Sequence, residues 1–350
     1  MTFEAKLSSK LASRQAKVGV VGLGYVGLPL AVEFAKAGFT VTGIDVSQSK
    51  VDEVNRGESY IQDIPTSTLR PFVEAGKIRA TTDFGVISEL DTVDICVPTD
   101  QHEEVVLAAL RAGKHVLVEK PLALTFDVAD ALVREAEYRN RILMAGQVLR
   151  FFPAYRSMAA MLTNAEPVRS AFFRRRCGAP GWSEWLLDSS RSGGGVFDLL
   201  VHDADYCISL WGMPVSVRAT GYQDLARGID VIHAELNYPD VGPVIITGGW
   251  YHSPSYPFSM EFTIATDRRT LEFSSGGSDL IEYVAGGQET KHRLAEADPF
   301  TAELAYFADC VTHQRQPDFC PPQQSAQAVA LMHFLLESRE ADGREITCAI

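Results

Sequence analysis

No apolar run in this 350-residue sequence approaches the ~20 residues needed to cross a bilayer. The N-terminal MTFEAKLSSKLASRQAK lacks a continuous apolar stretch, so a secretory signal is not expected there; it reads as a short amphipathic helix or a frayed arm. Cysteine pairs are missing too. The six cysteines stand at 96, 177, 207, 310, 320 and 348, with no C-x-x-C among them. Neither a zinc site nor a disulfide framework is therefore expected, no metal is assigned, and the cytoplasm is the default compartment. Basic charge is scarce: 32 Lys and Arg stand against 45 Asp and Glu, for a net charge of −13. A nucleic-acid partner would need a basic stripe to neutralise phosphates, and an anionic membrane surface offers no complement either. Internal repeats and low-complexity linkers are also absent from the sequence.

What is present is an ordinary globular composition, 46% hydrophobic, with length enough for two domains at roughly 150 residues each. From Lys17 to about Phe151, short apolar runs alternate with amphipathic stretches. Strands are expected at 17–21, 39–45, 93–98, 114–120 and 142–148, and helices at 26–37, 47–56, 102–112 and 126–140, with Ser47 as an N-cap. Such alternation implies βαβ units and a doubly wound parallel sheet. After Phe151 the texture changes. Strand-like runs at 168–175, 216–222, 231–238, 244–250, 258–265 and 270–273 are interrupted by a helix near 197–211 and closed by helices at 301–313 and 324–340. The expected fold class is α/β: an N-terminal Rossmann domain (17–150) after an arm (1–16), then an α+β domain (151–350) on an open, mostly antiparallel sheet.

Gly22-Leu23-Gly24-Tyr25-Val26-Gly27 is a G-x-G-x-x-G that follows a strand and opens a helix. The first glycine permits the tight turn, the second admits a pyrophosphate to the backbone, and the third lets helix and strand pack closely. The helix N-terminus then presents free N–H groups to phosphate. Asp45 ends the second strand, where a carboxylate accepts from ribose hydroxyls and repels a 2′-phosphate; this favours NAD. Pro98-Thr99 and Glu119-Lys120-Pro121 end two further strands, on the edge where open α/β sheets bind ligands.

In the second half, Ser192-Gly193-Gly194-Gly195 leads into a helix bearing Asp198 and His202, four apart and so on one face, with Asp205 close to it. A carboxylate beside an imidazole suits proton transfer. Equally, Asp198 could be a helix-start acid and His202 a partly buried histidine; as metal ligands the two lack an evident third. Arg174 and Arg176 share a strand face and could meet an anionic group or simply solvate the sheet. Trp182 and Trp185 could stack on a sugar ring or cover the sheet. Arg150, Arg174 and Trp182 are the candidate substrate contacts, and Cys207 reads as core.

Two resemblances meet inside the first domain. VGVVGLGYVGLPLAVEFAKAGFTVTGID, NRGESYIQDIP and VDICVPT, within residues 1–99, resemble the nucleotide-sugar 6-dehydrogenases acting on UDP-glucose and UDP-N-acetylglucosamine. From about 93 to 350, VPTDQH, AGKHVLVEKPLALT, RFFPAY, GGGVFDLLVHDADY and SREADGREI resemble the Gfo/Idh/MocA sugar and inositol oxidoreductases. The second resemblance implies a catalytic trio of Lys120, Asp198 and His202, cofactor contacts from Pro98, Thr99, His102, Glu119 and Lys120, and a cis Lys120–Pro121 peptide. With the motif residues Gly22, Gly24, Tyr25, Val26 and Gly27 and with Asp45, these complete the expected NAD site. The cysteine-containing motif of the first family is absent from the sequence.

The expected function is reversible hydride transfer between NAD and a secondary alcohol of a sugar, polyol or nucleotide sugar. Its partner is a small sugar-type substrate, and a homo-oligomer is expected through the uncovered face of the second sheet. The alternatives are a nucleotide-sugar 6-dehydrogenase, which would need a nucleophilic cysteine, and a non-catalytic NAD-binding protein.

Overall fold

The short apolar runs of the first half pair side by side in one direction. A computed structural model describes residues 3–162, 166–181 and 183–350 and divides into two compact units. Unit 1 holds the chain up to Ala123, then Asp127–Gly146 and Glu303–Pro322. In chain order its elements are α1 (Phe3–Ala12), β1 (Lys17–Val21), α2 (Gly27–Lys36), β2 (Thr40–Ile44), α3 (Gln48–Asn55), α4 (Thr66–Glu74), β3 (Ile78–Thr81), β4 (Thr92–Ile95), α5 (His102–Arg111), β5 (His115–Glu119), α6 (Phe126–Tyr138) and β6 (Leu143–Gly146). The strands are all parallel in the order β3-β2-β1-β4-β5-β6, the doubly wound arrangement expected. Helices cover both faces, which is why Val18–Val21 and Val41–Ile44 are buried without alternation. Ser47 caps α3 by accepting from the Lys50 N–H. The segment after Arg56 supplies α4 and β3, which the periodicity of the sequence did not reveal.

Of the two readings of residues 1–16, Phe3–Ala12 takes the short helix. Leu7 and Leu11 of α1 are buried in the core of unit 1, and Lys10 Nζ donates to Asp91 Oδ1 at 2.8 Å. The far end of the chain also returns to this core: Leu304, Phe307, Cys310, Val311 and Cys320 join the same buried cluster. The contiguous division expected at 150/151 is thus interrupted by Glu303–Pro322, because the apolar face of that helix covers unit 1.

Unit 2 holds Leu124–Phe126, Gln147–Ala302 and Gln323–Ile350. Here follow α7 (Pro153–Met161), β7 (Val168–Cys177), α8 (Ser189–Ser192), α9 (Gly195–Trp211), β8 (Ser216–Asp224), β9 (Ile229–Asn237), β10 (Val244–Trp250), β11 (Ser259–Thr266), β12 (Arg269–Ser274), β13 (Asp279–Val284) and β14 (Gln288–Arg293). Next come α10 (Pro299–His313), most of which belongs to unit 1, then α11 (Pro322–Glu340) and β15 (Ile346–Thr347). Among the described residues the sheet runs β14-β13-β12-β11-β7-β10-β9-β8-β15, antiparallel except between β7 and β10. Its strands alternate: in β9, Ile232, Ala234 and Leu236 are buried while His233 and Glu235 are exposed. α9 packs on β10 and β9 from the buried side. Among the described residues no helix is long and apolar enough to cross a membrane.

Candidate active site

The glycine loop of unit 1 has the geometry that its three glycines imply. Gly22 has φ +91°, and a Cβ there would stand 2.7 Å from the Cys96 carbonyl oxygen. At Gly27 a Cβ would stand 1.8 Å from the Gly22 carbonyl oxygen, so any side chain would force α2 off β1. Gly24 faces open space, with nothing within 4 Å of an added Cβ. Tight packing at the outer glycines and room at the middle one fit a dinucleotide pyrophosphate. Tyr25 and Val26 are exposed on the same loop.

Asp45 lies beyond the end of β2 and is buried. Its Oδ2 accepts from the Leu23 N–H at 2.8 Å and from Lys50 Nζ at 3.2 Å; its Oδ1 accepts from the Ser47 N–H at 2.9 Å. The carboxylate therefore ties the glycine loop to the start of α3. Tyr60 reinforces the loop by donating to the Leu23 carbonyl at 2.6 Å, and burial pushes its phenol pKa up. Lys50 and Tyr60 escaped the reading of the sequence. A lysine five residues after the strand-end acid is a legible signal for the first; nothing local marks the second.

At the next strand ends, Pro98 precedes a single 3₁₀ turn, Thr99 is buried, and the Lys120–Pro121 peptide is cis. Glu119 accepts from the Lys120 N–H at 3.3 Å, and Lys120 itself is half-buried. His102 departs from its expected role as a cofactor contact. It is fully buried, with Nδ1 2.9 Å from the Pro121 carbonyl oxygen and Nε2 3.0 Å from that of Val97. Its ring braces the ends of β4 and β5 against each other, and burial lowers its pKa. Beneath them, Asp94 has one carboxyl oxygen, Oδ2, with no hydrogen-bond partner. Burial, with Glu119 nearby, raises its pKa well above the carboxylate range.

In unit 2 the triple glycine starts α9. Gly193 and Gly194 take positive φ, +78° and +91°, and a Cβ on Gly195 would stand 2.4 Å from the Trp250 ring. Asp230, fully buried on β9, caps the helix from a distance: its Oδ2 accepts from the Val196 N–H at 3.0 Å and its Oδ1 from Arg339 at 2.7 Å. This fixes the start of the helix that carries Asp198 and His202, both half-buried and one turn apart. His202 lines a cavity of about 220 Å³.

Three other expectations fall differently. Arg150 is buried, and its guanidinium grips both oxygens of Asp205 at 2.7 Å and Gln324 at 2.8 Å; it is an internal tie rather than a substrate surface. The same pair removes Asp205 from the Asp198–His202 face. Arg174 and Arg176 do share a face of β7, but their anion is internal: Glu261 on β11, at 2.5 and 2.6 Å. Trp182 lies outside the described residues. Asp203, fully buried, holds Arg175 bidentately at 2.8 and 3.1 Å. These ion pairs are long-range, so spacing could not expose them.

The cysteines are free. Burial pushes Cys177 up to about 11 and Cys348 to about 12, and raises Cys96, Cys207 and Cys310 as well. Such thiols are poor nucleophiles at neutral pH. Among the described residues no group of three or more His, Cys, Asp or Glu side chains could hold a metal.

Residues 16–122 match the model of the UDP-glucose/GDP-mannose dehydrogenase family, NAD binding domain, and residues 166–272 that of the GFO/IDH/MocA C-terminal domain. The two matched segments are similar to these dehydrogenase domains, and the chain is an oxidoreductase. Its cofactor is a nicotinamide dinucleotide, which the glycine loop fits. A UDP-N-acetylglucosamine 3-dehydrogenase of Acidithiobacillus ferrooxidans is 27% identical over 321 residues, 87% of this chain and 91% of that protein. The scyllo-inositol 2-dehydrogenase (NADP(+)) of Bacillus subtilis is 23% identical over 86% of this chain and 79% of its own. The solved structure of the Acidithiobacillus enzyme superposes with a TM-score of 0.76 at 22% identity, covering 93% of this chain and 98% of that one, and so shares its fold.

Proposed function

We propose that this oxidoreductase transfers a hydride reversibly between NAD and a secondary alcohol of a sugar, polyol or nucleotide sugar. The observation that carries the reading is the Asp198–His202 pair on α9, held at a glycine-locked helix start with His202 on a cavity wall. His202 accepts the hydroxyl proton as general base, and Asp198 orients the imidazole or a neighbouring hydroxyl. The resemblance assigns Lys120 the part of a donor to developing negative charge. The nicotinamide, when bound, supplies the hydride acceptor. Glu119, Pro98 and Thr99 serve the cofactor at the strand ends of unit 1, and unit 2 serves the substrate. Asp45 selects NAD by its charge against a 2′-phosphate. The thiols held protonated by burial speak against the thioester route of a 6-dehydrogenase. The free cysteines fit a reducing, cytoplasmic setting. The half-apolar outer face of the unit 2 sheet, with Phe172, Val231 and Ile245, suits a subunit interface.

The test is NADH formation across a panel of sugars, inositols and UDP-sugars, repeated with His202→Ala. One NADH per substrate with a ketone product is expected. The variant should lose ~10²–10⁴ in turnover, the usual worth of a positioned base. Its NAD affinity should be nearly unchanged. Undiminished turnover in the variant would remove His202 from the mechanism, and two NADH per substrate would restore the 6-dehydrogenase reading.

A further inference from the structure

The wall around His202 is unlike a site for hydroxyl groups. Apart from His202 and Arg175, the cavity of about 220 Å³ is lined by apolar side chains, among them Leu149, Phe152, Phe258, Met260 and Phe300. A sugar hydroxyl placed against its buried inner wall of Leu149 and Met260, inside the exposed rim of Phe258 and Phe300, would give up water and meet few partners, which costs affinity. The one strong donor is Arg175. Its Nε and Nη2 are committed to Asp203, while its Nη1 meets the Met260 sulfur at 3.5 Å. A thioether is a weak acceptor, so a carbonyl oxygen would serve that N–H better. An anionic group gains little, because the buried Arg175–Asp203 pair is neutral as a whole. The volume also exceeds what a hydroxyl fills: at about 30 Å³ per water it has room for several.

A carbonyl oxygen with a short apolar tail satisfies these walls together. We infer that the cavity receives an acyl substituent, as in an acetamido group, carried on the carbon beside the carbinol that His202 serves. The substrate class is then N-acylated amino sugars rather than simple hexoses. The methyl lies against Phe152, Phe258 and Phe300, and the carbonyl oxygen accepts from Arg175 Nη1. This rests on the reading of His202 as the base, yet it concerns binding and can be measured without turnover.

The experiment compares N-acetylglucosamine with glucose, each as methyl glycoside and as UDP derivative, so that the pairs differ only at this substituent. Dissociation constants are measured by calorimetry in the presence of NAD, with saturation-transfer NMR on the acetamido methyl. The acetamido member is expected to bind ~10-fold or more tighter, the scale of one apolar group in a fitted pocket. Val148→Phe, which fills the cavity from a half-exposed position, should erase that preference and the methyl signal while NAD still binds. Phe300→Ala, which enlarges it, should admit N-butanoyl analogues. Equal binding of both sugars, binding of neither, or a preference that survives Val148→Phe would overturn the inference. Acetamido-selective binding without NADH formation would uphold the cavity and refute the proposed oxidation. NADH formed equally well from both sugars would do the reverse.

Discussion

Asp45 shows how one carboxylate holds two tasks. It ties Leu23 of the glycine loop to the start of α3, and in the proposed function its charge disfavours a 2′-phosphate. Lys50, 3.2 Å away, offsets part of that charge. Asp45→Ser should therefore narrow the ratio of kcat/KM for NAD over NADP by tenfold or more, on the scale of ~1.4 kcal/mol per tenfold. Steady-state kinetics with both cofactors decides it, and an unchanged ratio would move NAD selection elsewhere. His115 makes a different kind of statement. Its Nδ1 accepts from the Ile142 N–H at 3.0 Å, and burial, with Arg141 nearby, lowers its pKa from 6.5 to about 4. The unfolded chain takes up this proton first, so the stability contributed is complete above pH 6.5 and is lost as pH falls towards 4. The loss amounts to about 3 kcal/mol, at 1.36 kcal/mol per unit. Urea unfolding at pH 7 and pH 4.5 should show it, and His115→Asn should flatten the difference. A variant as acid-sensitive as the parent would clear His115 of the effect.

At the scale of elements, α9 is fixed by its beginning. Gly195 lies against the Trp250 ring, and Asp230 joins the helix N-terminus to Arg339. Asp230→Ala leaves the Arg339 guanidinium without its buried partner and frees the Val196 N–H. Breaking a buried pair from one side costs ~3–5 kcal/mol. Chemical unfolding of the variant should show that loss, and NAD titration at low temperature should show cofactor affinity preserved. A loss below 1 kcal/mol would mean that water replaces the carboxylate at little expense. The strand alternation of unit 2 and the βα rhythm of unit 1 were plain in the sequence because each element buries a regular face. α4, β3, α7, α8, β13, β14 and β15 were not. β14, Gln288–Arg293, is an exposed edge strand with no buried face to leave a period. His102 was legible as important but not as a brace, since its two carbonyl partners lie on different strand ends.

The whole molecule is less linear than its sequence. Phe307 belongs to the part of the chain expected to serve substrate, yet it is buried in the core of unit 1 with Leu7 and Leu11. Phe307→Ala should weaken unit 1 by ~3–5 kcal/mol, the usual cost of removing a buried phenylalanine. Hydrogen exchange should register the loss in β1 to β6 and leave the unit 2 sheet as slow as before. Faster exchange confined to β7 to β14 would place the helix in the wrong core.

The glycine loop, the acid after β2 and the Asp198–His202 spacing were legible in the sequence alone, because each is a local pattern set by neighbours a few residues away. Tertiary structure decided which charges are spoken for. Arg150, Arg174 and Arg176 look alike as residues available to an anionic substrate, and only the fold assigns them Asp205 and Glu261. Those carboxylates lie 55 to 87 positions away along the chain. The physical reason is burial: a guanidinium removed from water must find its counter-charge inside the protein, and which one it finds depends on how helices and strands cross rather than on the order in which they are strung.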